Sequence, residues 1–427
     1  MDTHETVFTI DTSSIKFGTG ATREVGHDMA RYGCKRVAVI TDPNMSGSSM
    51  VQTVMDALKA QAMDAVKFDG VRIEPTDRSF QEAIDFAISG QFDGYLAVGG
   101  GSTIDTAKVA NLYATHPTPN FLDYVNAPIG AGKQVPGPIK PLIAIPTTAG
   151  TGSETTGVAV FDLLEMAVKT GISHRYLRPV LGIIDPLNTA SLPSLVGASS
   201  GLDVLSHAIE SLTAIPFDKK PAPENPAQRP PYQGANPISD VWSSKATEIV
   251  GTYMLRAMKD ASDIEARGQM MLAASYAGIG FWNAGVHLPH AMSYPVAGMV
   301  QAYRPTEYNV DYPLVPHGIA VILNAPAVFR WTAAADPQRH LYAAQLLGAD
   351  IRDAQPEDAG DILADAIIGI MKQTGMPNGL GAIGFAEQDA NALAEGTLAQ
   401  QRLTKLSPRQ ANSDDLIALF CDAMRYW

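Results

Sequence analysis

Cysteine is nearly missing from this chain: Cys34 and Cys421 stand alone in 427 residues. Two thiols at opposite ends make neither a metal-binding nor a redox spacing, so a disulfide framework is excluded and a reducing compartment is expected. Basic side chains are also scarce, 31 against 44 acidic ones, which leaves a formal charge of −13. That shortage excludes nucleic acid or an anionic membrane surface as the main partner, because both demand a basic face. No run approaches the roughly 18 apolar residues of a membrane span. The first residues, Met1 to Thr6, are acidic and carry neither the apolar core of a secretory signal nor an Arg-rich transit pattern. A soluble, cytoplasmic protein is therefore expected. Repeats and low-complexity tracts are absent. What the chain does have is 46% hydrophobic residues against 18% charged ones, the balance of a large buried core and not of disorder. Two domains are the natural division at this length.

The first part alternates strand-like runs with helical periods. Arg36 to Thr41, Ala65 to Phe68, Tyr95 to Val98 and Leu142 to Ile145 read as strands, and 48–62, 79–89 and 103–114 as helices. Alternation of this kind implies right-handed crossovers and a parallel sheet covered on both faces. From about Leu195 the pattern becomes helical, over 196–214, 238–259, 263–280, 317–330, 338–347, 357–374 and 413–425. The pattern thus predicts an α/β N-terminal domain with a parallel sheet over 1–192, a nucleotide-binding architecture by default, and an all-α C-terminal domain over 193–427. Seven prolines between Pro216 and Pro237 cannot continue a helix, and so long a loop is expected to act as a lid or a subunit contact.

Gly99, Gly100, Gly101 and Ser102 follow the strand ending at Val98 and open a helix, so their amides face whatever occupies that helix N-terminus. Phosphate or pyrophosphate suits them. The plainer alternative is a tight turn with Ser102 as N-cap and Asp105 completing a capping box. The segment Pro146 to Glu154 stacks hydroxyls and glycines at the carboxyl edge of the same sheet, where such sheets hold ligands. Asp42, ending the first of these strands, could accept ribose hydroxyls and repel a 2′-phosphate, or simply begin a turn.

Four of the nine histidines, His207, His287, His290 and His317, fall at the head of the helical region. Asp203 and His207 lie four apart in one helical run and so share a face. A carboxylate with imidazoles suits Fe(II) or Zn(II) and not Mg or Ca. On spacing alone His287 and His290 compete for one coordination position.

The stretches GGGSTIDTAK, PTTAGTGSE and GLDVLSHAIES, with His290 and His317 in their settings, together resemble the iron-containing (group III) alcohol dehydrogenase family. GIGFWNAGVHLPHAMSYPVAGMV, YNVDYPLVPHG, PYQGANPISDVW and LTKLSP resemble its hydroxyacid-oxoacid transhydrogenase branch. The resemblance implies NAD on the N-terminal domain, a divalent metal, Fe(II) or Zn(II), on the C-terminal one, and an active site in the cleft between them. It assigns the metal to Asp203, His207, His290 and His317. Cofactor contacts fall on Asp42, Gly99, Gly100, Gly101, Ser102, Asp105, Thr147, Thr148, Thr151 and Lys169. Many alcohol dehydrogenases of the family have a further histidine four residues after the one matching His290. Here that position is Tyr294, so Tyr294 or His287 is expected to take over the proton relay.

The activity implied is hydride transfer from 4-hydroxybutyrate to 2-oxoglutarate through bound NAD, giving succinate semialdehyde and 2-hydroxyglutarate. An ordinary NAD-dependent dehydrogenase of 4-hydroxybutyrate or a simple alcohol is the alternative, and a lyase resembling dehydroquinate synthase a remote one. Both acids are anions, so a local cation is needed; Arg229, Arg304 and Lys405 are the candidates. The family also implies a homo-oligomer.

Overall fold

Five short parallel strands with branched or apolar residues at their centres begin the sheet: β1 (Ser14–Phe17), β2 (Arg36–Ile40), β3 (Asp64–Phe68), β4 (Gly94–Gly99) and β5 (Leu142–Pro146). β6 (Val158–Leu163) and β7 (Val168–Ser173) form a separate antiparallel pair, and β8 (Leu181–Ile184) completes a six-stranded parallel sheet in the order β1-β8-β5-β4-β2-β3. This computed structural model describes residues 4–166, 168–226 and 229–427. Alternate side chains feed opposite faces, as the pleat requires. Val37, Val39, Leu96, Val98, Ile143 and Ile145 pack with Val25, Met29, Val54 and Leu58 of α1 (Val25–Arg31) and α2 (Ser49–Ala60). Ala38, Ile40, Tyr95, Ala97 and Ala144 pack with Ala83, Ala87, Ile104 and Ala107 of α3 (Asp77–Gly90) and α4 (Gly101–Thr115). Each fully buried Val or Leu contributes about 1.5–3 kcal/mol.

β3 follows β2 on one side while β4 returns to the other. The order therefore reverses between β2 and β4, and their carboxyl ends, at Asp42 and Gly99, flank the crevice where an open α/β sheet binds its ligand. Sequence periodicity misses β1, β8 and the β6–β7 pair. β1 and β8 are only four residues each, too short for a period to register.

A second unit comprises residues 4–11 and 193–427, the sheet unit ending at Leu192. Residues 4–11 thus group with the helices, where the sequence boundary had placed them with the sheet. The reason is a set of hydrogen bonds: Thr9 and Gln233 pair in both directions at 2.8 Å, and Asp11 N–H donates to Asn283 Oδ1 at 2.9 Å. The helices are α5 (Ser194–Thr213), α6 (Pro237–Lys259), α7 (Ile264–Ala284), α8 (Leu288–Met299), α9 (His317–Ile322), α10 (Ala325–Thr332), α11 (Pro337–Leu346), α12 (Ala359–Gln373), α13 (Ala390–Leu398), α14 (Gln401–Thr404) and α15 (Ser413–Asp422). The single helix expected over 317–330 is two, broken at Leu323–Asn324, with Pro326 in the first turn of α10. Among the described residues no helix is long and apolar enough to cross a membrane.

α5 is the axis of this unit. From Gly201 to Thr213 every residue is buried, and α6, α7 and α9 pack around it. An all-round buried helix should be apolar, yet Asp203, His207 and Glu210 run along one face of this one. α9 meets α5 so closely that a Cβ on Gly318 would overlap the Ser199 carbonyl oxygen.

That contact can be tested. Gly318→Ala should lower the melting temperature by about 3–10 °C, from an overpacking cost of about 1–3 kcal/mol. Gly369→Ala, in α12 where a Cβ meets nothing within 4 Å, should hold or raise it, since alanine is the better helix former. Scanning calorimetry of the two variants checks the contrast.

Candidate functional site

Three imidazoles converge on one carboxylate oxygen. Asp203 Oδ1 lies 3.7 Å from His207 Nδ1, 3.6 Å from His290 Nε2 and 3.8 Å from His317 Nε2. α5 supplies Asp203 and His207, α8 supplies His290, and His317 begins α9 after Pro316. The four ligand atoms all fall within 4.8 Å of one another. Separations of 3.6–3.8 Å are too long for hydrogen bonds. They suit atoms that share a cation, each about 2.1 Å from it. Asp203 Oδ1, His207 Nδ1 and His290 Nε2 are buried without a hydrogen-bond partner, which a native interior rarely tolerates. The donor set and its orphaned atoms fit a divalent metal of the iron or zinc type.

Electrostatics favour the same occupant. Burial alone would raise the Asp203 carboxyl, but His207, His317 and His290 outweigh it and hold that group well below the usual carboxylate range. Burial drives His207 down to about 3, with Asp203 opposing and the other two rings assisting. His290 goes the other way: burial is outweighed by Glu210 and Asp203, and the ring rises to about 9. The His290 ring lies between the Asp203 and Glu210 carboxylates, where an incoming cation would compete with its proton.

Glu210 is the residue that the sequence did not single out. It is fully buried; Oε1 lies 2.6 Å from His290 Nδ1 and Oε2 accepts the His287 N–H at 2.5 Å. One carboxylate therefore fixes the ring that faces Asp203 and the backbone entering α8, the outer-shell arrangement that orients metal-binding histidines. Its signal was legible in principle, since position 210 lies seven after Asp203 on the same helical face. Phe281 of α7 completes the pocket, stacked on His207 at 4.1 Å with the planes 10° apart.

Of the two residues expected to relay a proton, His287 lies outside the four-residue cluster. Its ring is fully buried, pushed far below its ordinary pKa by burial and by His340 and His290, and its Nε2 meets Thr213 Oγ1 at 3.0 Å. Thr213 donates its own proton to the Ile209 carbonyl, so His287 Nε2 carries the hydrogen there. Tyr294 is buried one turn after His290, with its hydroxyl in hydrogen-bonding contact with Arg402. Among the three flagged cations, Arg229 is ion-paired with Glu5 at 2.9 Å, while Arg304 and Lys405 are exposed.

In the sheet unit the glycine loop and the threonine loop lie together. α4 begins at Gly101 with Gly100 as its N-cap and no capping side chain, so its first amides remain available to an anion. The capping alternative is corrected: Ser102 Oγ accepts the Glu74 N–H at 3.2 Å, and Asp105 points away from the N-terminus. Asp105 instead accepts from Ser153 Oγ at 2.5 Å and from the Val160 N–H at 2.9 Å, and pairs with the fully buried Lys108. It braces the threonine loop from behind. A Cβ on Gly100 would stand 3.3 Å from Thr148 Cγ2, and one on Gly101 2.5 Å from Thr151 Cγ2, so these glycines let the two loops close up. Thr147 donates its N–H to the Gly99 carbonyl at 3.1 Å. Asp42 begins a turn, as the plainer reading had it: Oδ1 accepts the Asn44 and Met45 amides. Lys169 is buried between Glu74 at 2.8 Å and Asp162 at 2.9 Å. Burial opposes its charge, and the two carboxylates outweigh burial and raise its pKa.

Glu210→Gln tests the bracing of His290. Metal content and metal affinity, read by mass spectrometry and competitive chelation, should fall about 10- to 100-fold with the fold retained. Unchanged affinity would show that the His290 ring holds its place without the carboxylate.

The comparisons with known proteins agree with this geometry. Residues 12–186 match the family described as "Iron-containing alcohol dehydrogenase", and residues 232–424 match "Fe-containing alcohol dehydrogenase family, C-terminal". A Rattus norvegicus protein named "Hydroxyacid-oxoacid transhydrogenase, mitochondrial" is 53% identical over 426 residues, covering 100% of this chain and 91% of its own. Its Homo sapiens counterpart is 52% identical with the same coverage. Among solved structures, a 1,3-propanediol oxidoreductase superposes with a TM-score of 0.85 at 27% identity over 98% of this chain and 100% of its own. A sulfoacetaldehyde reductase from Bifidobacterium kashiwanohense in complex with NAD+ gives 0.80 at 25% identity, over 98% and 99%. The relatives overturn the cytoplasmic expectation, because these close matches are named mitochondrial. Few cysteines and an acidic, span-free composition describe any reducing aqueous compartment and do not choose among them. The chain belongs to the iron-containing alcohol dehydrogenase family and is an oxidoreductase that uses NAD and a divalent metal.

Proposed function

We propose that the chain is a hydroxyacid-oxoacid transhydrogenase, moving a hydride from 4-hydroxybutyrate to 2-oxoglutarate through NAD that stays bound. The observation that carries this reading is the 52–53% identity, over essentially the whole chain, to proteins of that name. Asp203, His207, His290 and His317 would hold the metal. Bound there, iron or zinc supplies Lewis acidity toward the hydroxyl or carbonyl oxygen of the substrate. The dinucleotide supplies the hydride chemistry. The amides of Gly99 to Ser102 and the hydroxyls of Thr147, Thr148 and Thr151 would take its pyrophosphate, and Asp42 Oδ2 an adenosine ribose hydroxyl, with a charge that rejects a 2′-phosphate. Asp105 and Lys169 serve this site by holding the loops around it.

Charge and protons balance without a net exchange with water. Oxidation of 4-hydroxybutyrate to succinate semialdehyde releases a hydride and a proton, and reduction of 2-oxoglutarate to 2-hydroxyglutarate consumes one of each. His287, neutral and braced by Thr213 and Glu210, is suited to hold α8 in place, while the substrate region lies toward Tyr294. We assign the working protein to a homo-oligomer, a state that light scattering reads directly.

Purified enzyme given 4-hydroxybutyrate and 2-oxoglutarate without free NAD should turn over many times, forming the two products in equal amounts. Deuterium at C4 of the donor should appear at C2 of 2-hydroxyglutarate and not in solvent. Turnover only with added NAD would reject the transhydrogenase in favour of an ordinary dehydrogenase. Chelation should abolish activity and Fe(II) or Zn(II) restore it, and His290→Ala should bind metal at least about 100-fold more weakly.

A further inference from the structure

Arg402 has no carboxylate partner among the described residues, although the chain carries 13 more acidic than basic side chains. Other arginines in the helical unit do have one: Arg229 with Glu5, Arg256 with Asp263, Arg330 with Asp361 and Arg339 with Asp240. Arg402 is half-buried in α14, with its guanidinium 4.8 Å over the Tyr232 ring and in hydrogen-bonding contact with the hydroxyls of Tyr232 and Tyr294. A guanidinium has five N–H donors, and two phenol oxygens leave most of that fork unfilled.

The placement is built by three segments. Tyr232 comes from the proline-rich loop, which is held and not open: Gln233 and Gly234 donate their amides to the carbonyls of Asn283 and Ala284 at 3.0 and 2.8 Å. Leu406, just past α14, accepts the Ile215 N–H at 2.9 Å. Gly285 lies at φ +108 with Leu406 and Tyr232 packed over its Cα, so that a side chain there would displace both. The result is a continuous ring of contacts. His290 stacks on His207 at 4.4 Å, His207 on Phe281 at 4.1 Å, and Phe281 meets Tyr232 edge-on at 6.4 Å. Tyr232 carries Arg402, Arg402 touches Tyr294, and Tyr294 returns to His290 through one turn of α8. One helical turn is about 5–6 Å, the length of a four- or five-carbon acid.

We propose that Arg402 is the carboxylate clamp for both acid substrates, its fork taking the terminal carboxylate while the reacting carbon lies at the Asp203–His290 end of the ring. This rests on the reading that the substrates are short hydroxy- and oxoacids. The chemistry of the pair supports a single clamp. In 4-hydroxybutyrate the carboxylate lies three bonds from the reacting C4, and in 2-oxoglutarate the distal carboxylate lies three bonds from the reacting C2. One guanidinium at a fixed distance therefore serves the donor and the acceptor in turn, and the aromatic surroundings strengthen the charge-assisted pair.

The test uses holoenzyme and succinate, which has the carboxylate but nothing to oxidise or reduce. Calorimetric titration should show succinate binding to the wild type, weakened about 10- to 100-fold in Arg402→Gln. Arg402→Lys keeps the charge and the aromatic contact but loses the fork; it should weaken binding several-fold and guards against a variant that fails to fold. In steady-state kinetics Arg402→Gln should raise KM for 4-hydroxybutyrate and for 2-oxoglutarate by similar factors. Succinate affinity equal to wild type in either variant, no binding to wild type, or loss confined to one substrate would overturn the clamp. The two readings separate cleanly. Arg402-dependent succinate binding in an enzyme that requires free NAD keeps the clamp and rejects the transhydrogenase. Unaltered binding in an enzyme that turns over without NAD does the reverse.

Discussion

One buried oxygen, Asp203 Oδ1, constrains the helical unit more than any other atom. A carboxylate taken out of water is costly unless it is paired, and its neighbours here are three ring nitrogens at separations no hydrogen bond bridges. A shared cation resolves the whole set at once. Much of the local sequence follows from housing that charge inside α5. The helix must be buried to exclude water, so it is apolar on every side but one. The remaining face carries Asp203, His207 and Glu210. α9 must approach close enough to deliver His317, which leaves no room for a side chain at Gly318. Phe281 covers His207, and the lower polarity of that wall strengthens each interaction in the pocket.

The sheet unit is built on the complementary device. Where the helical unit gathers a carboxylate and three imidazoles that suit a cation, the loop at Gly99–Ser102 opens a helix whose N-terminal amides suit an anion. In the sheet unit the groups behind these loops are committed to one another: Asp105, Lys108 and Ser153 pair behind the threonine loop, and Lys169 sits between Glu74 and Asp162. Such closed networks fix the position of the loops they brace.

Legibility in the sequence tracked locality. The helix pair Asp203 and His207 was visible because four residues span one turn, and β2, β4 and β5 because their apolar runs are unbroken. β1 and β8 were too short to show a period. Glu210 was readable on the same helical face but looked like one more polar residue until His290 Nδ1 was found beside it. The expected contacts of Asp105 and Lys169 lay in motifs whose spacing is right, but their partners, Val160 and Glu74, come from other segments. Arg402 was invisible for the same reason: its meaning comes from Tyr232 and Tyr294, brought together by tertiary packing. Arg229 could stand among the three clamp candidates because Glu5, which neutralises it, is far away in the chain.

The net charge sharpens the argument for a local cation. At physiological ionic strength the screening length is about 8 Å, so the diffuse charge of −13 weakly opposes the approach of a small dianion from bulk water. Within a half-buried, aromatic-lined ring screening is weak, and an unneutralised guanidinium there acts at nearly its full strength. An acidic protein can therefore select acids, provided the selecting charge is kept out of ion pairs such as those of Arg229, Arg256, Arg330 and Arg339. Leaving Arg402 between two phenols instead of beside a carboxylate does this. A phenol accepts a hydrogen bond and so orients the fork, yet it brings no formal charge to compete with the substrate.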